Sequence, residues 1–232
     1  VLMTGASGGM IGAAYFRELY LRSKNHEKIN YLDSVYLEDA GKDLLNGMAT
    51  SIATNDIFYP WQTFNYKGLS YKKDRAYMFD KKLNENTNYT MDKLMSAYKK
   101  PEQSAMIPMM IVGATIINDQ RFLFFSPQSV SYLIKPYIKN SKGYVDDMST
   151  DAVEFNRFFK DKGAGNLNFI DALRTNATYP YIMPAVYLPT NPEIKAMDAG
   201  IRENSGLAVS TRFYSVFKEW IDANTSGVIF IT

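Results

Sequence analysis

A short apolar run that passes through a glycine-rich turn into a helix sets the strongest limit on how this chain can fold. Val1 to Thr4 is typical of a buried strand, and Met10 to Arg22 carries apolar residues at nearly helical spacing. Only Gly5 to Gly9 separates the two segments. The pattern therefore predicts a strand, a tight turn and a helix, which is how an α/β domain begins.

The rest of the chain predicts that this unit belongs to one α/β domain spanning residues 1 to 232. Met106 to Ile117 is a second core strand, and Arg121 to Phe125 follows it after an Asn118-Asp119 turn, which indicates a hairpin. Further segments are predicted to be helical at Asp151 to Lys160, Phe169 to Thr175 and Leu207 to Trp220, extended at Tyr179 to Pro189, and a strand at Val228 to Ile231. A chain of this length can bury a core without disulfides or metals.

Residues 25 to 104 contain no strong strand pattern and are interpreted as an insertion or cap within the domain. Helical patterns occur near Ser34 to Ala53 and Asn88 to Tyr98, separated by turn-rich segments. The aromatic residues of this region are Phe58, Tyr59, Trp61, Phe64, Tyr66, Tyr71, Tyr77 and Phe79. Such a cluster fits either a lid that contacts lipid or an ordinary core.

The composition excludes several kinds of protein. Hydrophobic residues make up 46% of the chain and charged residues 22%, which is the balance of an ordinary folded domain. The net charge of +2 gives no reason to expect a nucleic-acid partner, and the absence of Cys excludes disulfides and a cysteine nucleophile. The longest apolar stretch, Ala105 to Ile117, has 13 residues, whereas a membrane-spanning helix needs about 20.

Both ends of the sequence are expected to be internal to a longer protein. Val1 to Thr4 and Val228 to Thr232 each have the pattern of a core strand that stops where the sequence stops. The segment has no initiator Met and no secretory leader, so it leaves the cellular location unknown.

The turn from Gly5 to Gly9 fits the pattern G-x-S-x-G of a nucleophile elbow. In such a turn the serine side chain is exposed at the top of the sheet, and small neighbours such as Gly5 and Gly9 avoid clashes. Ser7 would then be the nucleophile. Because a helix follows, the free N–H of Gly8 would point toward a developing oxyanion.

The same turn resembles the phosphate loop of short-chain dehydrogenases, T-G-x-x-x-G-x-G, which would make it an NAD(P) site. Ile11 occupies the position of the third glycine, and Gly12 comes one residue late. The polar segment Asn25 to Asp33 also lacks the strand that should carry an acidic residue. A glycine turn that serves only strand–helix packing is a third interpretation.

A serine nucleophile needs a base, and the chain has one histidine. His26 lies 19 residues after Ser7, at the predicted end of the same helix. At ~1.5 Å per residue, it should be roughly 25 Å from the nucleophile. A triad with histidine as its last member therefore cannot form within this segment. What remains is a carboxylate that acts directly on Ser7.

Asp198-Ala199-Gly200 supplies that carboxylate in a context that resembles the patatin-like phospholipases. This family pairs G-x-S-x-G with a downstream D-G-G or D-G-A, which follows a helix, a small-residue turn and a Pro-bounded extended segment. The same order is present here as Phe169 to Arg174, Thr175 to Pro180, Met183 to Val186 and Met197 to Asn204. The resemblance covers residues 1 to 24 and about 105 to 232.

The resemblance implies a three-layer α/β fold with a central, mostly parallel sheet flanked by helices. It also implies a lipid acyl hydrolase that cleaves carboxylic esters through a Ser7–Asp198 dyad and an acyl-enzyme, without cofactor or metal. The substrate would be a phospholipid or another acyl-lipid ester, with transient contact to a membrane surface. Gly200 and Asn204 would support the loop of the dyad.

Two features depart from the family. Ala199 replaces the commoner glycine, and the G-G-G-x-x-G oxyanion loop that precedes the elbow in the family is missing from the segment. Asn204 fits either a loop role or a cap for the last helix, whereas Arg202 and Glu203 are predicted to be surface charges. The alternatives are an NAD(P)-dependent reductase, a more general esterase or thioesterase, and a non-catalytic interaction domain.

Overall fold

The structure, a computed structural model, describes residues 1–66, 69–134 and 150–231. The strands are β1 Leu2–Gly5, β2 Thr63–Tyr66, β3 Leu69–Lys72, β4 Met109–Ile116, β5 Phe122–Phe125, β6 Ala152–Glu154, β7 Val186–Leu188 and β8 Ile194–Met197. The helices are α1 Ser7–Lys24, α2 Ser34–Ala40, α3 Leu45–Ser51, α4 Arg75–Asn86, α5 Lys99–Gln103, α6 Phe155–Phe158, α7 Phe169–Asn176 and α8 Leu207–Asn224. Short π and 3-10 turns are Ile52–Asp56, Met95–Tyr98, Ser131–Leu133, Lys160–Lys162, Ala164–Asn166 and Ala199–Ile201.

A mixed sheet of six strands forms the centre of the domain, with the order β6-β5-β4-β8-β7 and with β1 paired to β4. The β1–β4 and β5–β6 pairs are parallel, whereas the β4–β5, β4–β8 and β7–β8 pairs are antiparallel. The predicted α/β class and the β4–β5 hairpin are confirmed, but a mostly parallel sheet is wrong. The connections from β4 to β5 and from β7 to β8 are too short for the crossover that parallel neighbours need.

Strands β1 and β8 share one edge of β4 and lie end to end along it. The last residue of β1, Gly5, pairs in parallel with Val112, and the last residue of β8, Met197, pairs antiparallel with Thr115. Both strands therefore run toward the same short part of β4, at Gly113, and leave the sheet there. Residues near opposite ends of the chain meet at this point.

β4 is almost entirely buried because helices cover the sheet from both sides. Val112 packs in one apolar cluster with Met10 of α1 and Leu173 of α7. Ile111, which points to the other face, packs in a second cluster with Val209 of α8. Burial on both faces explains why the sequence of β4 is a nearly continuous apolar run. The first helix and the helices α7 and α8 are confirmed as predicted.

The insertion differs from its predicted structure in three respects. The sequence pattern does not reveal α4, which begins where the Asp74 carboxylate accepts the N–H groups of Ala76 and Tyr77. The segment predicted to be helical at Asn88 to Tyr98 consists mainly of turns, because positive φ angles of 50° and 56° at its first two residues prevent a helix there. β2 and β3 form a separate antiparallel hairpin where no strand is expected.

Two predicted elements outside the insertion are wrong. Asp151 to Lys160 begins with a strand, β6, because pairing with β5 overrides the helical pattern, and only short helical turns follow. Val228 to Ile231 joins no sheet in the described residues, and its apolar side chains are exposed; Thr232 lies outside those residues. Among the helices of the described ranges, none has both the length and the apolar character needed to cross a bilayer.

Candidate active site

Ser7 lies at the sharp turn between β1 and α1. Ala6 is extended, with φ −128° and ψ 152°. Ser7 has φ 54°, a backbone conformation that residues other than glycine rarely adopt. The chain thus changes from strand to helix within one residue. The Ser7 side chain is half-buried, and Gly8 and Gly9 after it are exposed. A nucleophile elbow requires a sharp, strained turn of this kind between a strand and a helix.

Asp198 lies at the end of β8, on the same edge of β4 as Ser7. Its backbone is held on both sides, because the Asp198 N–H donates to the Thr178 carbonyl at 3.1 Å and the Thr115 hydroxyl donates to the Asp198 carbonyl at 2.9 Å. Its Oδ1 atom accepts the N–H of Gly200 at 2.7 Å, which starts the 3-10 turn after β8. These bonds fix the carboxyl group relative to the central strand.

The Asp198 carboxyl is buried, with only 3% of the residue exposed. Burial raises its pKa above the ordinary value, while the hydrogen bond from Gly200 and the neighbouring Ser7 hydroxyl lower the pKa in part. Its Oδ2 atom is buried and has no hydrogen-bond partner in the part of the chain that the structure describes. The Ser7 hydroxyl is thus close enough to act on this carboxyl, but the contact falls short of a regular hydrogen bond.

Asn176, at the end of α7, holds the elbow strand against the central strand. Its amide nitrogen donates to the Gly5 carbonyl at 3.1 Å and to the Gly113 carbonyl at 2.7 Å, and the residue is fully buried. Both carbonyls lie where β1 and β8 leave β4. The amide therefore satisfies one buried and one partly buried acceptor and fixes the position from which Ser7 projects. The sequence pattern gives Asn176 no role beyond membership in a small-residue turn.

The glycines of the elbow are not required by steric clashes, contrary to the expectation for Gly5 and Gly9. A Cβ atom at Gly9 or Gly8 would meet nothing within 4 Å, and one at Gly5 would meet only the Met10 Sδ at 3.8 Å. The first turn of α1 is exposed at Gly8 and Gly9, so side chains at these two positions would have room. The open surface leaves the Gly8 N–H accessible, since the first N–H groups of a helix have no partner within it.

The tight approach lies at Gly206 instead, which precedes α8 and has φ 75°. A Cβ atom there would be 2.6 Å from the Thr4 carbonyl oxygen and 2.8 Å from the Gly5 nitrogen. Gly206 therefore lets the start of α8 touch the backbone of β1 at Thr4 and Gly5, directly before the turn that contains Ser7. Only the position of this glycine directly before a helical pattern signals it in the sequence.

The loop after Asp198 is supported by side chains that the sequence assigns only loosely. A Cβ atom at Gly200 would lie 3.0 Å from both Asn204 Oδ1 and Asp198 Oδ1, so Asn204 packs over the dyad loop. Asn204 does not cap α8, because the Glu203 carboxylate accepts the Leu207 N–H at 3.2 Å.

The prediction that Arg202 and Glu203 are surface charges is wrong, because both side chains make specific contacts. Arg202 pairs with Asp151 at 2.8 Å and lies over the Phe122 ring, which ties the dyad loop to the far side of the sheet. Glu203 accepts the N–H groups of Ser205, which precedes α8, and of Leu207, the first residue of α8. Long-range pairing and local capping, neither of which a composition pattern displays, account for the difference.

His26 lies just beyond α1 and is exposed, so it sits at the opposite end of that helix from Ser7, as its spacing predicts. Within the described ranges, no group of three or more His, Cys, Asp or Glu side chains is arranged to hold a metal ion. Comparison with known proteins found no matching family model, no matching curated protein and no matching solved structure.

Proposed function

We propose that this chain is a serine acyl hydrolase in which Ser7 and Asp198 form a catalytic dyad that cleaves lipid esters. The observation that carries the proposal is the buried Asp198 carboxyl, whose Oδ2 atom has no hydrogen-bond partner among the described residues and lies beside a serine held at φ 54°. A buried carboxyl oxygen without a hydrogen bond lowers the stability of the folded protein, and the strained backbone at Ser7 lowers it further. Both costs are explained if the pair serves chemistry.

The dyad can perform acyl transfer without a third residue. As the Ser7 Oγ attacks the ester carbonyl carbon, its proton passes to Asp198, and the carbonyl oxygen becomes an oxyanion. The tetrahedral intermediate then collapses, the bond to the alcohol oxygen breaks, and Asp198 returns its proton to that alcohol. Water attacks the acyl-enzyme in the same way, with its proton going to Asp198 and then to Ser7 as the fatty acid leaves.

The raised pKa of Asp198 suits this role. A carboxylate of ordinary pKa is a weak base at neutral pH, and burial makes it a stronger one. The N–H of Gly8, exposed at the positive end of α1, is the proposed oxyanion donor. Activity should therefore fall in acid, where Asp198 becomes protonated. Because its pKa is raised, this loss should begin at a higher pH than for an aspartate of ordinary pKa.

The proposed substrate class follows from the resemblance to patatin-like phospholipases, which also gives the finer fold expectation of three layers. In this proposal the substrates are phospholipids or other acyl-lipid esters, and neither a cofactor nor a metal takes part. The enzyme would meet its substrate at a membrane surface. A more general esterase or thioesterase with the same dyad would differ only in its substrate profile.

The test is covalent labelling of the protein with a fluorophosphonate, which reacts with activated serines. Wild-type protein should label, and Ser7→Ala and Asp198→Asn should not. Matched controls are Ser34→Ala and Asp161→Asn, because both residues are exposed and lie far along the chain from the site. Normal labelling of Asp198→Asn would disprove the dyad.

Absence of labelling in a folded wild-type protein would contradict the hydrolase and favour a non-catalytic domain. Binding of NADH or NADPH, measured by fluorescence, would instead favour the reductase. Mass spectrometry of the labelled peptide should place the adduct on Ser7. An adduct on any other serine would reject the assignment of the nucleophile.

A further inference from the structure

Four large apolar side chains that are close together in the sequence of the insertion are exposed. We call this group the aromatic ledge, and it consists of Ile57, Phe58, Tyr59 and Trp61. These residues are 63%, 64%, 48% and 70% exposed, respectively. The rings of Tyr59 and Trp61 contact edge to face, with centroids 5.7 Å apart. Isolated exposed apolar residues are common, but four within five positions form a patch that usually marks an interaction site.

Hydrogen bonds fix the backbone of the aromatic ledge. The N–H groups of Phe58 and Tyr59 both donate to the Thr54 carbonyl, at 2.7 and 3.0 Å. The ledge is also tied to the end of β3, because the Lys73 N–H donates to the Gln62 carbonyl at 2.9 Å. The Asn55 amide donates to the Lys73 carbonyl at 2.6 Å. The rings are therefore presented from a defined surface that includes the end of the β2–β3 hairpin.

The charged side chains next to the aromatic ledge sum to +1, because three cations, Lys72, Lys73 and Arg75, lie beside the two carboxylates of Asp56 and Asp74. Lys72 is exposed, Lys73 is half-buried, and neither forms an ion pair with a described residue. Of the two nearby carboxylates, Asp56 pairs with Arg75 at 3.4 Å, and Asp74 accepts backbone N–H groups at the start of α4 while keeping its charge. Two cationic side chains thus remain available beside the exposed aromatic rings.

A cleft joins the aromatic ledge to the loop between α7 and β7. The cleft has a volume of about 190 Å³. Its lining includes Tyr59, Pro184, the cationic Lys72 and Lys73, and the carboxylates of Asp56 and Asp74. Pro184 follows Thr178, whose carbonyl accepts the Asp198 N–H, by six residues. On the same loop, Tyr181 is 95% exposed. The ledge and its cleft are therefore connected to the segment that positions the dyad.

We infer that the aromatic ledge, together with Lys72 and Lys73, docks the protein on an anionic lipid surface. Tyr and Trp side chains have an apolar ring and a polar tip, which suits the boundary between headgroups and acyl chains. Lysines beside them attract the negative charge of anionic lipids, and apolar burial and charge together determine interfacial binding. The purpose of the docking rests on the proposed function, because it would bring the dyad to a lipid ester at the membrane.

Vesicle binding tests the inference without any need for catalysis. The protein carries Ser7→Ala, so that no lipid is consumed, and Trp220→Phe, so that Trp61 is the only tryptophan. It is titrated with phosphatidylcholine vesicles that contain phosphatidylglycerol and with vesicles of phosphatidylcholine alone. We expect the Trp61 emission to shift to shorter wavelength with the anionic vesicles and much less with the neutral ones.

Matched variants separate the ledge from general effects of charge and aromaticity. Lys72→Glu with Lys73→Glu should lower partitioning to anionic vesicles at least about tenfold. Lys99→Glu with Lys100→Glu makes the same charge change on the exposed residues of α5 and should change it far less. Trp61→Ala should weaken vesicle co-sedimentation about tenfold, and Trp220→Ala should not, although Trp220 is 64% exposed.

Several outcomes would overturn the inference. The first is a Trp61 emission that does not change when anionic vesicles are added. The second is an equal loss of vesicle binding in the Lys72/Lys73 and Lys99/Lys100 double variants. The third is binding to neutral vesicles that is as strong as binding to anionic vesicles. A Trp61 emission already shifted without lipid, together with a dimer by light scattering, would show that a second copy of the chain covers the ledge.

Hydrolysis of a water-soluble butyrate ester separates this inference from the proposed function. Trp61→Ala that loses vesicle binding but keeps hydrolysis of the soluble ester supports docking. Docking without hydrolysis by wild-type protein would reject the hydrolase alone. Hydrolysis without a Trp61 response would reject docking alone.

Discussion

Replacement of Gly206 by alanine tests how the start of α8 supports the elbow. At φ 75°, a side chain brings backbone strain of roughly 1–2 kcal/mol. The new Cβ would also lie 2.6 Å from the Thr4 carbonyl oxygen and 2.8 Å from the Gly5 nitrogen. Because these neighbours are backbone atoms of a paired strand, they cannot move independently, and such overpacking costs about 1–3 kcal/mol. The free energy of unfolding should therefore fall by about 2–5 kcal/mol.

Gly163→Ala is the matched control for this substitution. Gly163 has φ 77°, but the nearest atom to a Cβ there is the Asn166 side-chain nitrogen at 3.6 Å. Gly163→Ala should cost only the backbone strain, which is again roughly 1–2 kcal/mol. The difference between the two variants therefore isolates the contact between α8 and β1.

Urea unfolding and thermal unfolding measure the two costs, and each 1 kcal/mol should lower the Tm by roughly 2–4 °C in a chain of this size. Gly206→Ala should also reduce fluorophosphonate labelling of Ser7, because β1 must shift to relieve the clash. Gly163→Ala should leave labelling unchanged. Equal destabilisation by the two substitutions would refute the argument that α8 touches the elbow strand.

Three further predictions concern the site itself. Ser7→Gly should be about 1 kcal/mol more stable than Ser7→Ala in urea unfolding, because only the glycine relieves the strain of φ 54°; equal stability would argue against a strained elbow. Asp198 has a folded-state pKa above its unfolded value, so the wild type loses stability as pH rises through that window, and Asp198→Asn should gain Tm relative to wild type above it but not in acid. A pH-independent difference in Tm would reject the raised pKa. Asn176→Ala should lower the free energy of unfolding by about 2–4 kcal/mol and reduce labelling of Ser7, because the carbonyls of Gly5 and Gly113 lose a buried donor. Unchanged stability together with unchanged labelling would show that the amide does not hold the strands.

The local elements around the site were largely predictable, because they depend on neighbours in the sequence. The strand–turn–helix at Ser7 follows from an apolar run, five small residues and helical spacing. The hairpin β4–β5 follows from two apolar runs and a turn between them. By contrast, β6 and β8 are short, and they become strands through pairing with β5 and β4. No pattern within three or four residues contains that information.

Arg202 shows the same limit at the level of a single side chain. The charge pattern predicts a solvated arginine, yet the residue pairs with Asp151 across the sheet. The supporting roles of Asn176 and Gly206 also depend on groups that are distant in sequence, the Gly113 carbonyl and the Thr4 carbonyl. Hydrogen-bond partners and close approaches of this kind exist only after the strands have assembled.

The sequence by itself determined that a serine stands at a turn between strand and helix, and that the one histidine is too far along the helix to serve it. It also offered Asp198 as a candidate partner. Only the tertiary structure decided that the two residues meet, because β1 and β8 approach Gly113 from opposite directions along one edge of β4. Strand pairing over long sequence distances sets that register, and it also buries the Asp198 carboxyl and thereby raises its pKa.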